Sequence, residues 1–229
     1  HRHSSAASDV YKRQDLIELL KNQLKSHPGI IIGGLAQPEK PEVYCQAIAK
    51  ISQTLNFPVL AEGLSPLRNY SPLNPYLIST YDLILRNQKL AQKLIPKIVL
   101  QIGELPTSKQ LRSWLEAANS QRLIIDQSDQ NFDPLHSNTT HLRISVEQLA
   151  KISITQYSDN NYDINYLNLW CQAEAKVREN IDKKMATVNH ILEPKISWLI
   201  SQTLPKNTSI FVANSCLLYT SPSPRDSRR

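Results

Sequence analysis

Short unbroken apolar runs alternate along this chain with stretches whose apolar residues recur every three or four positions. The runs are GIIIGG (29–34), FPVLAEG (57–63), Ile98-Val99-Leu100 with Ile102, and RLIIDQ (122–127), with HLRI (141–144) as a weaker fifth. Apolar runs of this length, without polar alternation, predict strands buried on both faces. Between them, Val43, Ile48, Ile51 and Leu55 predict one helix. Residues 76–96 predict a second helix, stopped by Pro96, and Leu111, Trp114, Leu115 and Ala118 predict a third with Thr107 at its N-cap. Ahead of the first strand, Leu16, Ile17, Leu19, Leu20 and Leu24 predict a helix ending near Pro28. Strands alternating with helices in this rhythm define an α/β fold with a doubly wound, mostly parallel sheet. All five glycines flank the first three strands, which suits backbone turns in successive βα units. Residues 65–75, SPLRNYSPLNP, make a proline-rich loop longer than a simple connection needs, and such loops are often functional.

The pattern changes after about Ser153. QYSDNNYD (156–163) reads as a polar linker. Leu167, Trp170, Val177, Ile181, Met185 and Val188 then form a stripe at helical spacing, predicting a long amphipathic helix to about Leu192 that docks on a neighbouring domain. Glu193-Pro194 breaks it, residues 196–204 predict another helix, and residues 208–215 predict a strand. The expected organisation is a central α/β domain (15–155), a linker and long helix (156–192), and the truncated start of a second α/β domain (193–215). Residues 1–14 and 216–229 are polar and without period, and they resemble translated sequencing-adapter read-through. They are expected to be foreign to the fold and to pack against nothing, which makes the chain a fragment.

Charge changes the picture less than its total suggests. The formal net charge is +6 over 229 residues. Arg2, Lys12, Arg13 and Asp9 give the first fourteen residues +2, and Arg225, Arg228, Arg229 and Asp226 give the last fourteen +2. The periodic body keeps only +2, with no basic stripe interleaved with aromatics, which argues against nucleic acid as a partner. Cys45, Cys171 and Cys216 are widely separated and form no C-x-x-C, so neither a zinc site nor a disulfide framework is expected. No apolar run is long enough to span a membrane, and the expectation is a cytoplasmic chain. A length of 229 residues buries enough surface for a core without disulfide or metal.

Motifs for chemistry are sparse. Gly33-Gly34-Leu35-Ala36-Gln37-Pro38 is not a dinucleotide fingerprint, and no Walker lysine, G-x-S-x-G elbow or metal-spaced histidines occur. Thr107, Ser108 and Lys109 follow the third strand, where open α/β sheets place ligands, and hydroxyls with an ammonium at a helix N-terminus suit an anion. The same residues also fit an ordinary cap beside a solvated lysine. From the residues alone, a stand-alone module binding a nucleotide or an acidic metabolite is the alternative to an enzyme fragment.

Four ordered blocks carry a resemblance: AEGLSPLRNY (61–70), YDLILRN (81–87), IGELPTSKQLRSWL (102–115) and IFVANS (210–215). Together they resemble the middle region of thiamine-diphosphate enzymes, specifically the 2-succinyl-5-enolpyruvyl-6-hydroxy-3-cyclohexene-1-carboxylate synthase family of menaquinone and phylloquinone biosynthesis. The resemblance covers essentially residues 15–215. It implies a Rossmann-like central domain, a connecting helix, and the first helix and strand of a diphosphate-binding domain. It also implies an enzyme that decarboxylates 2-oxoglutarate and adds the resulting carbanion to isochorismate, acting as a homo-oligomer with thiamine diphosphate and Mg2+. The activating glutamate and the G-D-G motif of that family have no counterpart here, so no catalytic residue, cofactor or metal is expected on this piece. The resemblance puts Ser215, Lys109 and Arg68 at the substrate: Ser215 on an Asn-Ser pair, Lys109 in a loop facing the active site, Arg68 in the proline-rich loop. Where some members carry arginine beside that lysine, this chain has Gln110.

Overall fold

The computed structural model describes residues 28–128, 133–135, 139–156, 164–190, 192–205 and 208. The expected first helix, the linker at 157–163, the strand at 208–215 apart from Thr208, and both terminal stretches lie outside the described residues, and so does Ser215. Six parallel strands form one sheet: β1 (Gly29–Gly33), β2 (Val59–Ala61), β3 (Leu77–Ile78), β4 (Ile98–Ile102), β5 (Gln121–Ile125) and β6 (Thr139–Leu142). Their order is β3-β2-β1-β4-β5-β6, which reverses direction between β1 and β4. This is the doubly wound sheet that the apolar runs predict.

Alternation across the sheet builds two cores. On β1, Ile31 faces one side, with Leu100 of β4 and Leu123 of β5, while Ile30 and Ile32 face the other with Val99. All three isoleucines have no exposed surface, and each contributes about 1.5–3 kcal/mol by burial. Helix α1 (Pro41–Leu55) covers the first face together with α5 (Val146–Gln156), named here in chain order. The opposite face is covered by α2 (Tyr81–Leu85), α3 (Gln88–Lys93), α4 (Lys109–Ala118) and the first half of α6 (Ile164–Thr187). A last helix, α7, runs Glu193–Thr203.

Four local expectations need correction. Residues 76–96 are not one helix: they hold β3 and two short helices, and Asn87 separates these by accepting from the Leu90 amide at 3.2 Å. The N-cap of α4 is Ser108 rather than Thr107, since Ser108 Oγ accepts from the Leu111 amide at 3.1 Å. Helix α5 was not expected, although Ser145 and Gln148 cap it reciprocally. Glu193-Pro194 opens α7 instead of merely breaking the chain, because proline fits a helix first turn.

The chain divides into two compact units, His1–Arg178 and Glu179–Arg229. In the first, Leu167 and Trp170 of α6 are buried in this domain's own core, with Trp170 edge-on to Trp114 at 6.0 Å between ring centres. That half of the apolar stripe therefore docks on the chain's own sheet and not on a neighbouring domain. In the second unit, Trp198 donates to Asp182 at 2.8 Å, and Leu199, Ile200 and Leu204 are exposed. No helix among the described residues is long and apolar enough to cross a membrane.

Candidate functional site

The carboxyl ends of the strands carry every loop of interest. Gly103 ends β4 with φ +75°, and a Cβ there would come within 2.8 Å of the Leu35 carbonyl. Gly34 is tighter still: a Cβ would stand 1.7 Å from the Glu104 carbonyl oxygen, while its amide donates to Ile102 at 3.0 Å. The loops after β1 and β4 thus meet backbone to backbone. Glycine is required where the two approach.

Past Gly103, the loop is pinned from its own helix. Arg112 donates to the carbonyls of Pro106 at 2.8 Å and Leu105 at 3.2 Å. Ser108 Oγ donates to Asp82 at 2.5 Å while capping α4. Lys109 follows as the first residue of α4 and is exposed, so its ammonium stands at a fixed helix start with a free reach into solvent.

Arg68 has a different environment. It sits in a 3₁₀ turn (Pro66–Arg68), half-buried, and donates through Nε to Ala61 at 3.1 Å and through Nη2 to the Ser79 carbonyl at 2.6 Å. Burial pushes its guanidinium down from the ordinary arginine value, and the nearby Glu174 acts in the opposite direction. Arg68 therefore ties the proline-rich loop to the ends of β2 and β3, and its Nη1 has no partner among the described residues. Close by, Glu62 accepts from the Tyr81 hydroxyl at 3.2 Å.

Sequence reasoning missed the carboxylate that completes this group. Glu174 of α6 is buried and accepts from Ser79 Oγ at 2.5 Å, from the Thr80 amide at 2.9 Å and hydroxyl at 2.6 Å, and from Arg178 Nε at 2.7 Å. Burial raises its carboxyl, but the hydrogen bonds from Ser79, Thr80 and Arg178 outweigh that and hold it below the usual range. Only a glutamate on the otherwise apolar face of the predicted helix hinted at it in the sequence.

A cavity of about 730 Å3 opens where the strand order reverses, between the loops after β1, β4 and β5 and the start of α5. This is the usual ligand position in doubly wound folds. Glu39, Glu104, Asp126 and Glu147 line it against a single cation, Lys40. That balance disfavours a phosphate, and with it the nucleotide-binding alternative. Neither Lys109 nor Arg68 lines it. Among the described residues no group of three His, Cys, Asp or Glu side chains is placed to hold a metal ion. Burial pushes the Cys45 thiol up to about 11 and raises that of Cys171, which leaves both as poor nucleophiles.

A six-stranded parallel sheet wound on both faces, with its cavity at the carboxyl ends of the strands, defines a doubly wound domain of the α/β class. Residues 4–212 match the family model described as "Middle domain of thiamine pyrophosphate", and the chain belongs to that family of thiamine-pyrophosphate enzyme middle domains. It is similar to 2-succinyl-5-enolpyruvyl-6-hydroxy-3-cyclohexene-1-carboxylate synthase of Trichodesmium erythraeum (strain IMS101), at 88% identity over 208 residues, covering 91% of this chain and 36% of the relative. The protein of the same name from Trichormus variabilis (strain ATCC 29413 / PCC 7937) is 57% identical over 84% of this chain and 33% of the relative. That from Crocosphaera subtropica (strain ATCC 51142 / BH68) is 41% identical over 87% of this chain and 34% of the relative. The chain spans about a third of the length of these curated relatives.

Proposed function

We propose that this chain is the central domain of a synthase that decarboxylates 2-oxoglutarate and adds the resulting succinyl-semialdehyde carbanion to isochorismate, in menaquinone or phylloquinone biosynthesis. The observation that carries the reading is the 88% identity over 208 residues to a protein named for that product. The overall reaction is a carbon–carbon bond-forming transfer in the cytoplasm. Carbon dioxide leaves 2-oxoglutarate, and the electron pair left behind forms the new bond to isochorismate. Thiamine diphosphate, with Mg2+, supplies the electron sink for the decarboxylation when bound in the intact enzyme. Its anchors are assigned to parts outside this chain, and the intact enzyme to a homo-oligomer, on the resemblance of the four sequence blocks.

Within this reading Lys109 offers its ammonium to a substrate carboxylate. Its support is an exposed side chain on a loop held rigid by Arg112 and Ser108, at a helix N-terminus whose potential favours an anion. Arg68 contributes through Nη1, while its Nε and one Nη2 N–H hold backbone carbonyls. Ser215 is kept as the third substrate contact, on the resemblance.

The test uses the full-length protein with thiamine diphosphate, Mg2+, 2-oxoglutarate and isochorismate. The expected outcome is release of carbon dioxide with formation of the succinyl adduct. Decarboxylation with no isochorismate adduct would overturn the reading. Lys109→Ala should lower kcat/KM about ten- to hundredfold, the scale of one charge-assisted hydrogen bond, with cofactor affinity unmoved. Unchanged kinetics would return Lys109 to the role of a solvated helix-start lysine.

A further inference from the structure

Arg68 is aimed by a residue that belongs to none of the substrate contacts. Its Nη2 donates to the Ser79 carbonyl at 2.6 Å and its Nε to the Ala61 carbonyl at 3.1 Å, so two backbone oxygens set the plane of the guanidinium. Ala61 closes β2, inside the sheet, but Ser79 stands past the end of β3, a two-residue strand at the edge of the sheet. The strand ladder pairs Leu77 and Ile78 and stops short of Ser79. What holds Ser79 is its side chain: the hydroxyl donates to Glu174 Oε1 at 2.5 Å and accepts from Arg178 Nη2. Glu174 Oε2 fixes the next residue as well, accepting from the Thr80 amide at 2.9 Å and hydroxyl at 2.6 Å. One residue is thus gripped at its carbonyl by Arg68 and at its hydroxyl by Glu174.

The carboxylate also acts on the guanidinium through its charge. Burial pushes the Arg68 guanidinium down, and the strongest charge opposing that is Glu174, ahead of Tyr81 and Glu62. Attachment of α6 alone does not call for a charge at this position. Tyr166, Leu167 and Trp170 bury the same helix by apolar contact, and apolar residues at 79, 80 and 174 would continue that packing without desolvating a carboxylate. A buried acid with its hydrogen bonds concentrated on Ser79 and Thr80 fixes the loop after β3, and with it the oxygen that orients Arg68.

We propose that Glu174 is a positioning residue: through Ser79 it holds the Arg68 guanidinium in place, with Nη1 left for a substrate carboxylate. The inference rests on the substrate contact assigned to Arg68 above.

The test is a double-mutant cycle on the full-length protein with thiamine diphosphate and Mg2+, measuring kcat and KM for 2-oxoglutarate and for isochorismate. Arg68→Ala is expected to raise KM for one of the two about ten- to hundredfold. Glu174→Gln should raise that same KM about three- to tenfold with kcat held within about twofold, and the double variant should be no worse than Arg68→Ala. Trp170→Phe, one turn away, loosens α6 without touching the carboxylate and should leave KM unmoved. Where Glu174→Gln does not fold, Ser79→Ala takes its place in the cycle with the same expectation, since it removes the hydroxyl and keeps the carbonyl. An unmoved KM in these variants, an equal rise in Trp170→Phe, or additive losses in the double variant overturns the proposal. A second arm needs no activity: phenylglyoxal should modify Arg68 several-fold faster in Glu174→Gln than in the wild type, read by peptide mass spectrometry on folded protein. Equal rates overturn the positioning role whatever reaction the enzyme performs, whereas failure to form the succinyl adduct falls on the synthase reading.

Discussion

Gly34 and Gly63 follow β1 and β2 in equivalent loops, yet their surroundings predict opposite responses to one added methyl group. A Cβ at Gly34 would meet the Glu104 carbonyl at 1.7 Å, and both partners are backbone, so neither can swing away. Gly34→Ala should therefore cost about 1–3 kcal/mol, toward the upper end of the overpacking range. In a chain of this size that is a fall in Tm of roughly 2–12 °C, read by thermal denaturation. A Cβ at Gly63 meets nothing within 4 Å, and Gly63→Ala should be neutral or stabilise by up to about 1 kcal/mol through the unfolded chain. Equal responses at the two sites would mean that the loops after β1 and β4 can part freely. The sequence shows a glycine pair ending an apolar run, and so a turn. That the second glycine answers to a carbonyl seventy residues on is a tertiary fact with no local signal. Thr107 and Ser108 make the same point, since both are capping residue types and only the direction of the side chain selects Ser108.

At the scale of elements, the attachment of α6 depends on one carboxylate. Glu174 gathers Ser79, Thr80 and Arg178 at the end of β3, and Trp170 fills the core one turn away. Glu174→Gln substitutes an amide whose N–H groups face existing donors, and the expected loss is about 2–4 kcal/mol in urea unfolding followed by tryptophan fluorescence. The same carboxyl makes stability depend on acid. Its folded pKa lies below the unfolded value, so the contribution is complete above the ordinary glutamate value near 4.5 and is lost as pH falls through the folded pKa. The wild-type chain should lose stability more steeply than Glu174→Gln in that acid window, and parallel curves would remove Glu174 as the cause. Four of the six strands were legible because each is an apolar run with a turn residue at its end, and β6 only in part: the sequence puts it at 141–144, whereas Thr139–Leu142 buries only Leu142. Strand β3 was not: two residues have no period, and Leu77-Ile78 sits inside a stretch that keeps helical spacing to Pro96. The split between α2 and α3 was readable at Asn87, and α5 at Ser145 and Gln148, had those polar residues been weighed as caps and not as loop.

For the whole molecule, the division of labour predicts a binding result. The four sequence blocks assign the cofactor's anchors to parts outside this chain, and the cavity where the strand order reverses is lined by four carboxylates against one lysine. Calorimetric titration of the 229-residue chain with thiamine diphosphate and Mg2+ should therefore show no metal-dependent binding, and micromolar binding would overturn the assignment of the cofactor's anchors elsewhere. The architecture also has a consequence for how the chain is made. Strand β1 lies at the centre of the sheet, yet both of its neighbours, β2 and β4, come later in the sequence. A ribosome releasing this chain exposes Ile30, Ile31 and Ile32 with one edge unpaired until Ile102 has emerged, some 69 residues after Gly33. At about 5–20 residues per second that interval is roughly 3–14 s. For those seconds the most completely buried segment of the finished sheet is its stickiest. Chaperone capture during synthesis should fall between these two points and end once β4 has left the tunnel.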